Sequence, residues 1–113
     1  MALTAPVSRT TVFTRDAERS LGFYCDLLDM EVWIDNVIPN PGASDILGQP
    51  CKSMRIIVLR AADTAIGNIG LAEVHGANPP LDNPPPATKV RFGEPCLVIR
   101  TEHLKELLPK LDA

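Results

Sequence analysis

Five of the eight residues from Pro79 to Pro86 are proline, and this stretch fixes where regular structure can lie. Proline has no backbone donor and holds φ near about −65°, so neither a helix nor an interior strand can run through it. The stretch reads as a semi-rigid, partly polyproline linker between a long first part and a short second one.

In the first part, Thr10 to Arg15 (TTVFTR) is rich in β-branched and aromatic residues and has the length of a strand. A helix follows at once. Asp16 is a good N-cap, Glu18 stands where the helix dipole favours an anion, and Ala17, Leu21, Tyr24 and Leu28 recur at helical spacing. That stripe is expected to face a sheet. Gly22, inside it, costs about 1 kcal/mol against Ala and predicts a close approach to neighbouring backbone. Glu31 to Ile34 (EVWI) reads as a second strand, and Pro39, Pro41, Gly42 and Gly48 then mark a loop as far as Pro50, a candidate lid. Two near-continuous apolar runs, Ser53 to Leu59 and Ile69 to Val74, complete an order of strand, helix and three strands.

Beyond the prolines the opening pattern returns. Cys96 to Arg100 (CLVIR) reads as a short strand, and Leu104, Leu107, Leu108 and Leu111 fall at i, i+3, i+4 and i+7. The two strand-then-helix units match by pattern and not by identity, as in a module copied twice. Pro109 is expected to kink or end the second helix, because its ring removes a donor and clashes one turn back.

With 45% apolar and 22% charged residues in 113, the composition is that of one soluble domain, and no apolar run reaches the roughly 18 residues of a membrane span. The start of the chain has neither the basic residues nor the apolar run of a signal peptide, so a cytoplasmic protein is the expectation. Cys25, Cys51 and Cys96 form no C-x-x-C pair and read as ordinary buried or half-buried thiols. A net charge of −3 with scattered basic residues excludes a phosphate-binding patch, so neither nucleic acid nor membrane is an expected partner.

The run SLGFYCDLLDMEV, with Asp16 four residues before its serine, resembles the D-x-x-x-S-x-x-F-Y-x-x-x-L-G-x-x-V opening of the glyoxalase, bleomycin-resistance and extradiol-dioxygenase families, the vicinal oxygen chelate superfamily. Asp29 stands where that pattern has Gly. The resemblance extends to Ala72–Gly76 (AEVHG) and implies an α+β chain: a βαβββ module over residues 1–76, the proline-rich linker over 77–94, and the first strand and helix of a second, incomplete module over 95–113. Each module in that family is a curved sheet of strand order 1-4-3-2, and two modules form a cup around a small-molecule ligand.

The resemblance also implies a place for a divalent metal (Zn, Ni, Fe or Mn), held by a residue at the start of strand one and a Glu near the end of strand four of each module. Such an ion acts as a Lewis acid on two vicinal substrate oxygens. Glu73 matches the strand-four carboxylate, with His75 two places on. The strand-one position falls on Arg9, which keeps its charge and ligates no metal. In the second module that position falls near Pro95 or Cys96, of which only Cys96 has a donor, and the last ligand would lie past Ala113. At most two family ligands are therefore present.

Glu73 and His75 leave the same face of a strand, shared with Ile69 and Leu71, where an unpaired carboxylate is costly. They are read as metal ligand and general base, or, more economically, as a carboxylate neutralised by Arg9 across strands one and four. In the second case the Arg9 guanidinium takes the lost metal's place and orients an anionic ligand. Phe13 and Trp33 are the aromatic residues expected to line the cup, with core packing an equal reading for Trp33. His103 is given no role.

A second module unfinished at Ala113 would leave apolar sheet edges and an uncovered face, from which a homodimer is expected. Three functions fit: a glyoxalase-like small-molecule-binding protein without the full metal site, a metal-dependent lyase, isomerase or dioxygenase whose site a partner chain completes, or an inactive truncated fragment. No residue selects a substrate.

Overall fold

The structure, a computed structural model, describes residues 2–83 and 88–112. Pro84, Pro85 and Pro86 of the expected linker lie outside the described residues. The chain divides into two compact units, Met1–Pro80 and Leu81–Ala113.

The first unit is an α+β arrangement around one open four-stranded sheet. Its elements are β1 (Arg9–Thr14), α1 (Ala17–Leu21), a π-helical turn (Gly22–Leu27), β2 (Glu31–Pro39), α2 (Gly42–Leu47), β3 (Ser53–Arg60) and β4 (Asn68–His75). The strand order is β1-β4-β3-β2. β1 lies parallel to β4, Arg9 beside Asn68 and Thr14 beside Glu73, while β3 runs antiparallel to both β4 and β2. The central pair is apolar on both faces, which is why β3 and β4 read as continuous runs. Alternation along these strands sends Ile57, Leu59, Ile69 and Leu71 to one face, where Ala17, Leu21 and Tyr24 of the helix cover them. Met54, Ile56, Ala72 and Val74 go to the other face, where Ala43 and Leu47 of α2 pack with Cys51.

Asp16 caps α1 as its position predicts, its Oδ1 accepting the Arg19 N–H at 3.1 Å. Ser20, the serine of the opening motif, ties the helix back to β1 through a 2.8 Å hydroxyl contact with Thr14. The helix does not stay α-helical to Leu28. From Gly22 it widens, so that Leu28 N–H bonds Phe23 C=O five residues back at 3.1 Å. The extra residue per turn changes the phase of the stripe and brings Cys25 against the core beside Tyr24. Gly22 makes no close backbone approach: a Cβ there would meet only the Asp26 carboxylate, at 3.9 Å. The glycine that does need its missing side chain is Gly70, where a Cβ would stand 2.6 Å from Thr11 Oγ1 and oblige Thr11 to shift.

Two further expectations are corrected. β2 continues past Ile34 to Pro39, because β3 offers it a partner as far as Ser53, and its polar Asp35 and Asn36 hide the strand pattern on an edge that water reaches. The expected lid over residues 39–50 contains a docked helix. Ala43 is 0% exposed, and Asn40 Nδ2 donates to Cys51 C=O while Ser44 Oγ accepts the Cys51 N–H at 3.1 Å, closing the segment onto the sheet's end.

The second unit holds α3 (Leu104–Leu111). Residues 96–100 form no strand: no ladder partner reaches them, and β propensity alone cannot hold a lone strand in water. Nor does Pro109 end the helix, which runs on to Leu111 with Asp112 N–H bonding Leu108 C=O at 3.2 Å. Pro109, sixth in the helix, removes one donor, the N–H that would meet Lys105 C=O, and the helix continues past that loss. Cys96 is exposed, unlike Cys51, and all three thiols are free.

Candidate functional site

Alternation on the first unit's sheet separates the residues singled out from the sequence into two groups. Glu73 and His75 follow Ile69 and Leu71 on the α1 face. Glu73 is paired in register with Thr14 of β1 and Arg55 of β3, directly below the start of α1. Its Oε2 accepts the Ala17 N–H at 2.6 Å, and its Oε1 meets His75 Nε2 at 2.6 Å. The first of these contacts satisfies a donor that a helix N-terminus leaves open. The Ala17 N–H, then His75, and more distantly Arg55 hold the Glu73 carboxyl below its ordinary pKa, outweighing the desolvation that opposes them.

Arg55 extends this cluster. Its guanidinium forks onto Asp35 of β2, Nε to Oδ1 at 3.0 Å and Nη2 to Oδ2 at 2.8 Å, and reaches Glu18 of α1 at 2.9 Å. The fork lowers the Asp35 pKa and raises that of Arg55. Two strands, β2 and β3, and the helix are thus joined through one arginine. Sequence reasoning missed it, since Arg55 lies inside an apolar run with no local signal of its partners.

Arg9 does not neutralise Glu73. Because β1 and β4 are parallel, the start of one lies beside the start of the other, and Arg9 pairs with Asn68 while Glu73 pairs with Thr14. The five-residue offset is roughly 16 Å along a strand. The two side chains also leave opposite faces, Arg9 with Thr11 and Phe13, Glu73 with the residues opposite Thr10, Val12 and Thr14.

Phe13 and Trp33 fall on the first unit's exposed surface, 54% and 43% accessible, and Trp33 belongs to neither core cluster. Trp33 is the extra residue of a bulge in β2 between Val32 and Ile34. The Arg60 guanidinium sits 5.1 Å from its ring centroid and is held there by Glu31 at 2.9 Å and Asp63 at 3.0 Å. Arg60 leaves β3 on the face of Met54, Ile56 and Val58, away from α1, as Phe13 does on β1. The margin of this face carries Phe13 and Arg9 on β1, Trp33 on β2 and Arg60 on β3, while its central residues Met54, Val58 and Ala72 are buried, Met54 and Ala72 in the cluster that holds α2.

A divalent metal does not fit these residues. Both oxygens of Glu73 are engaged by the fold, Arg9 has no donor lone pair, and among the described residues no three His, Cys, Asp or Glu side chains are grouped to hold an ion. In the second unit, His103 Nδ1 lies 3.4 Å from Glu106 of its own helix. Among the described residues no helix is long and apolar enough to cross a membrane.

No family model matches the chain, and no curated protein and no solved structure matches it.

Proposed function

We propose that this chain is a glyoxalase-like small-molecule-binding protein that works without the family's metal. The observation that carries the reading is the sheet: a strand, a helix and three strands arranged β1-β4-β3-β2, which is the order the opening motif implies. A second detail supports the same alignment. Asp29, where the family pattern has Gly, adopts a left-handed backbone with φ of 62°, a conformation glycine takes freely and Asp tolerates better than most residues.

The ligand-binding surface in this reading is the exposed margin of the face away from α1, whose central residues Met54, Val58 and Ala72 are buried. Phe13 and Trp33 supply aromatic surface, and Arg9 supplies positive charge that suits a planar ligand with an anionic group, the Arg60 charge being met by Glu31 and Asp63. Glu73 and His75 then serve the scaffold, holding the helix on the sheet, and take no part in coordination.

The test is paired. The purified protein is assayed for metal by elemental mass spectrometry, and its melting temperature is followed with planar aromatic carboxylates, with and without a chelator. Binding that the chelator leaves unchanged, with substoichiometric metal, is the expected result. Stoichiometric divalent metal would instead support a metal-dependent lyase or dioxygenase and overturn the reading.

A further inference from the structure

Alternation along β1 puts Arg9, Thr11 and Phe13 on one face of the strand, the face away from α1, and all three are exposed. Side chains two apart on a strand stand roughly 7 Å from each other, so a guanidinium, a hydroxyl and an aromatic ring follow at equal steps.

Thr11 stands in the middle of that row. Its partner across the ladder is Gly70, and its Oγ1 lies 2.6 Å from the point where a Gly70 Cβ would stand. The hydroxyl therefore leans inward over β4, onto the face of the sheet, and not past the outer edge of β1. A side chain at Gly70 would take its place. The Thr14 hydroxyl of the same strand is spent within the fold, on Ser20 and Asp16. Among the described residues no hydrogen bond engages the Thr11 side chain. Its O–H is a donor with no internal acceptor, and the Arg9 charge beside it favours a ligand atom that presents lone pairs.

Resting on the ligand-binding function proposed above, we propose that Thr11 determines which ligand that surface takes. Its hydroxyl selects an aromatic acid that carries a carbonyl between its ring and its carboxylate. The carboxylate meets Arg9, the ring lies against Phe13, and the carbonyl oxygen accepts from the Thr11 hydroxyl. Carboxylate and carbonyl are then roughly 7 Å apart, the step between alternate residues, which a chain of about four methylenes spans. An acid without the carbonyl leaves the hydroxyl to water and gains nothing at the middle position.

The experiment uses the full chain and two probes that differ at a single carbon, 6-oxo-6-phenylhexanoate and 6-phenylhexanoate, with dissociation constants from NMR titration. The parent should prefer the oxo acid about threefold to tenfold, the effect of one neutral hydrogen bond. Thr11→Val, which keeps the shape and removes the donor, should bring that ratio near one, and Thr11→Ser should restore it. Gly70→Ala, which keeps all three side chains but crowds the hydroxyl, should lower the ratio as well. A parent that binds both probes equally, or a Thr11→Val protein that keeps the preference, overturns the proposal and leaves the ligand-binding function standing. So does a parent that binds planar aromatic carboxylates and neither probe. A parent that binds no acid of either kind overturns both.

Discussion

Glu73 Oε2 accepts the Ala17 N–H at 2.6 Å, so a carboxylate from the fourth strand closes the open end of the first helix. Asp16 satisfies a different donor of the same turn, the Arg19 N–H. Local and long-range caps thus divide the work. Glu73→Ala should cost about 1–2 kcal/mol of unfolding free energy, the range for losing a helix cap or a charged hydrogen bond, with the side chain 19% exposed. Urea denaturation checks this. A loss below the error of the fit would show that the contact contributes little.

The same cluster fixes the acid limb of stability. The folded-state pKa values of Glu73 and Asp35 lie below their ordinary values. Each group therefore contributes stability that is whole above the usual carboxylate range, about pH 4–5, and is lost as pH falls through its depressed folded value. Unfolding free energy should be level between neutrality and about pH 5 and fall below that, less steeply in Glu73→Gln. Identical acid limbs for parent and variant would contradict the assignment to Glu73.

Asp29→Gly should stabilise the protein by up to about 1 kcal/mol. The gain is relief of left-handed strain at φ of 62°, partly offset by the freedom glycine adds to the unfolded chain. A rise in melting temperature with unchanged circular dichroism is the expected outcome, and a fall would mean that the Asp29 side chain stabilises its turn.

Ala43 separates a docked helix from a lid. At 0% exposed against Met54 and Ala72, it has no room for a larger side chain. Ala43→Leu should destabilise by about 1–3 kcal/mol through overpacking. A neutral effect in thermal unfolding would mean that residues 39–50 swing free.

The outline of this fold is legible in the sequence where one strong local pattern acts alone. β3 and β4 declare themselves by apolar runs, and Asp16 declares the helix start. β2 was legible only at Glu31–Ile34, because its later half holds Asp35 through an ion pair with a residue twenty positions away. α2 was obscured by Pro41 and Gly42, which signal a loop although Ala43 and Leu47, four apart, mark a buried stripe. The candidate site was legible residue by residue but not as an assembly. Whether Arg9 meets Glu73 depends on strand direction and register, and Ile69 to Val74 reads the same in a parallel as in an antiparallel pair. Arg60 beside Trp33 was invisible for the same reason.

The parallel pairing of β1 with β4 also sets an order of events. Their partners lie roughly sixty residues apart, whereas β2, β3 and β4 join neighbours in a meander. Loop closure makes the distant pairing the costlier one, so the three-stranded meander is expected to form first and β1 to arrive after the rate-limiting barrier. Val12→Ala should accordingly speed unfolding and leave the refolding rate nearly unchanged, as stopped-flow chevrons would show. Gly70 then acts late as well: by keeping the way to Thr11 clear, it permits the last strand to close the sheet.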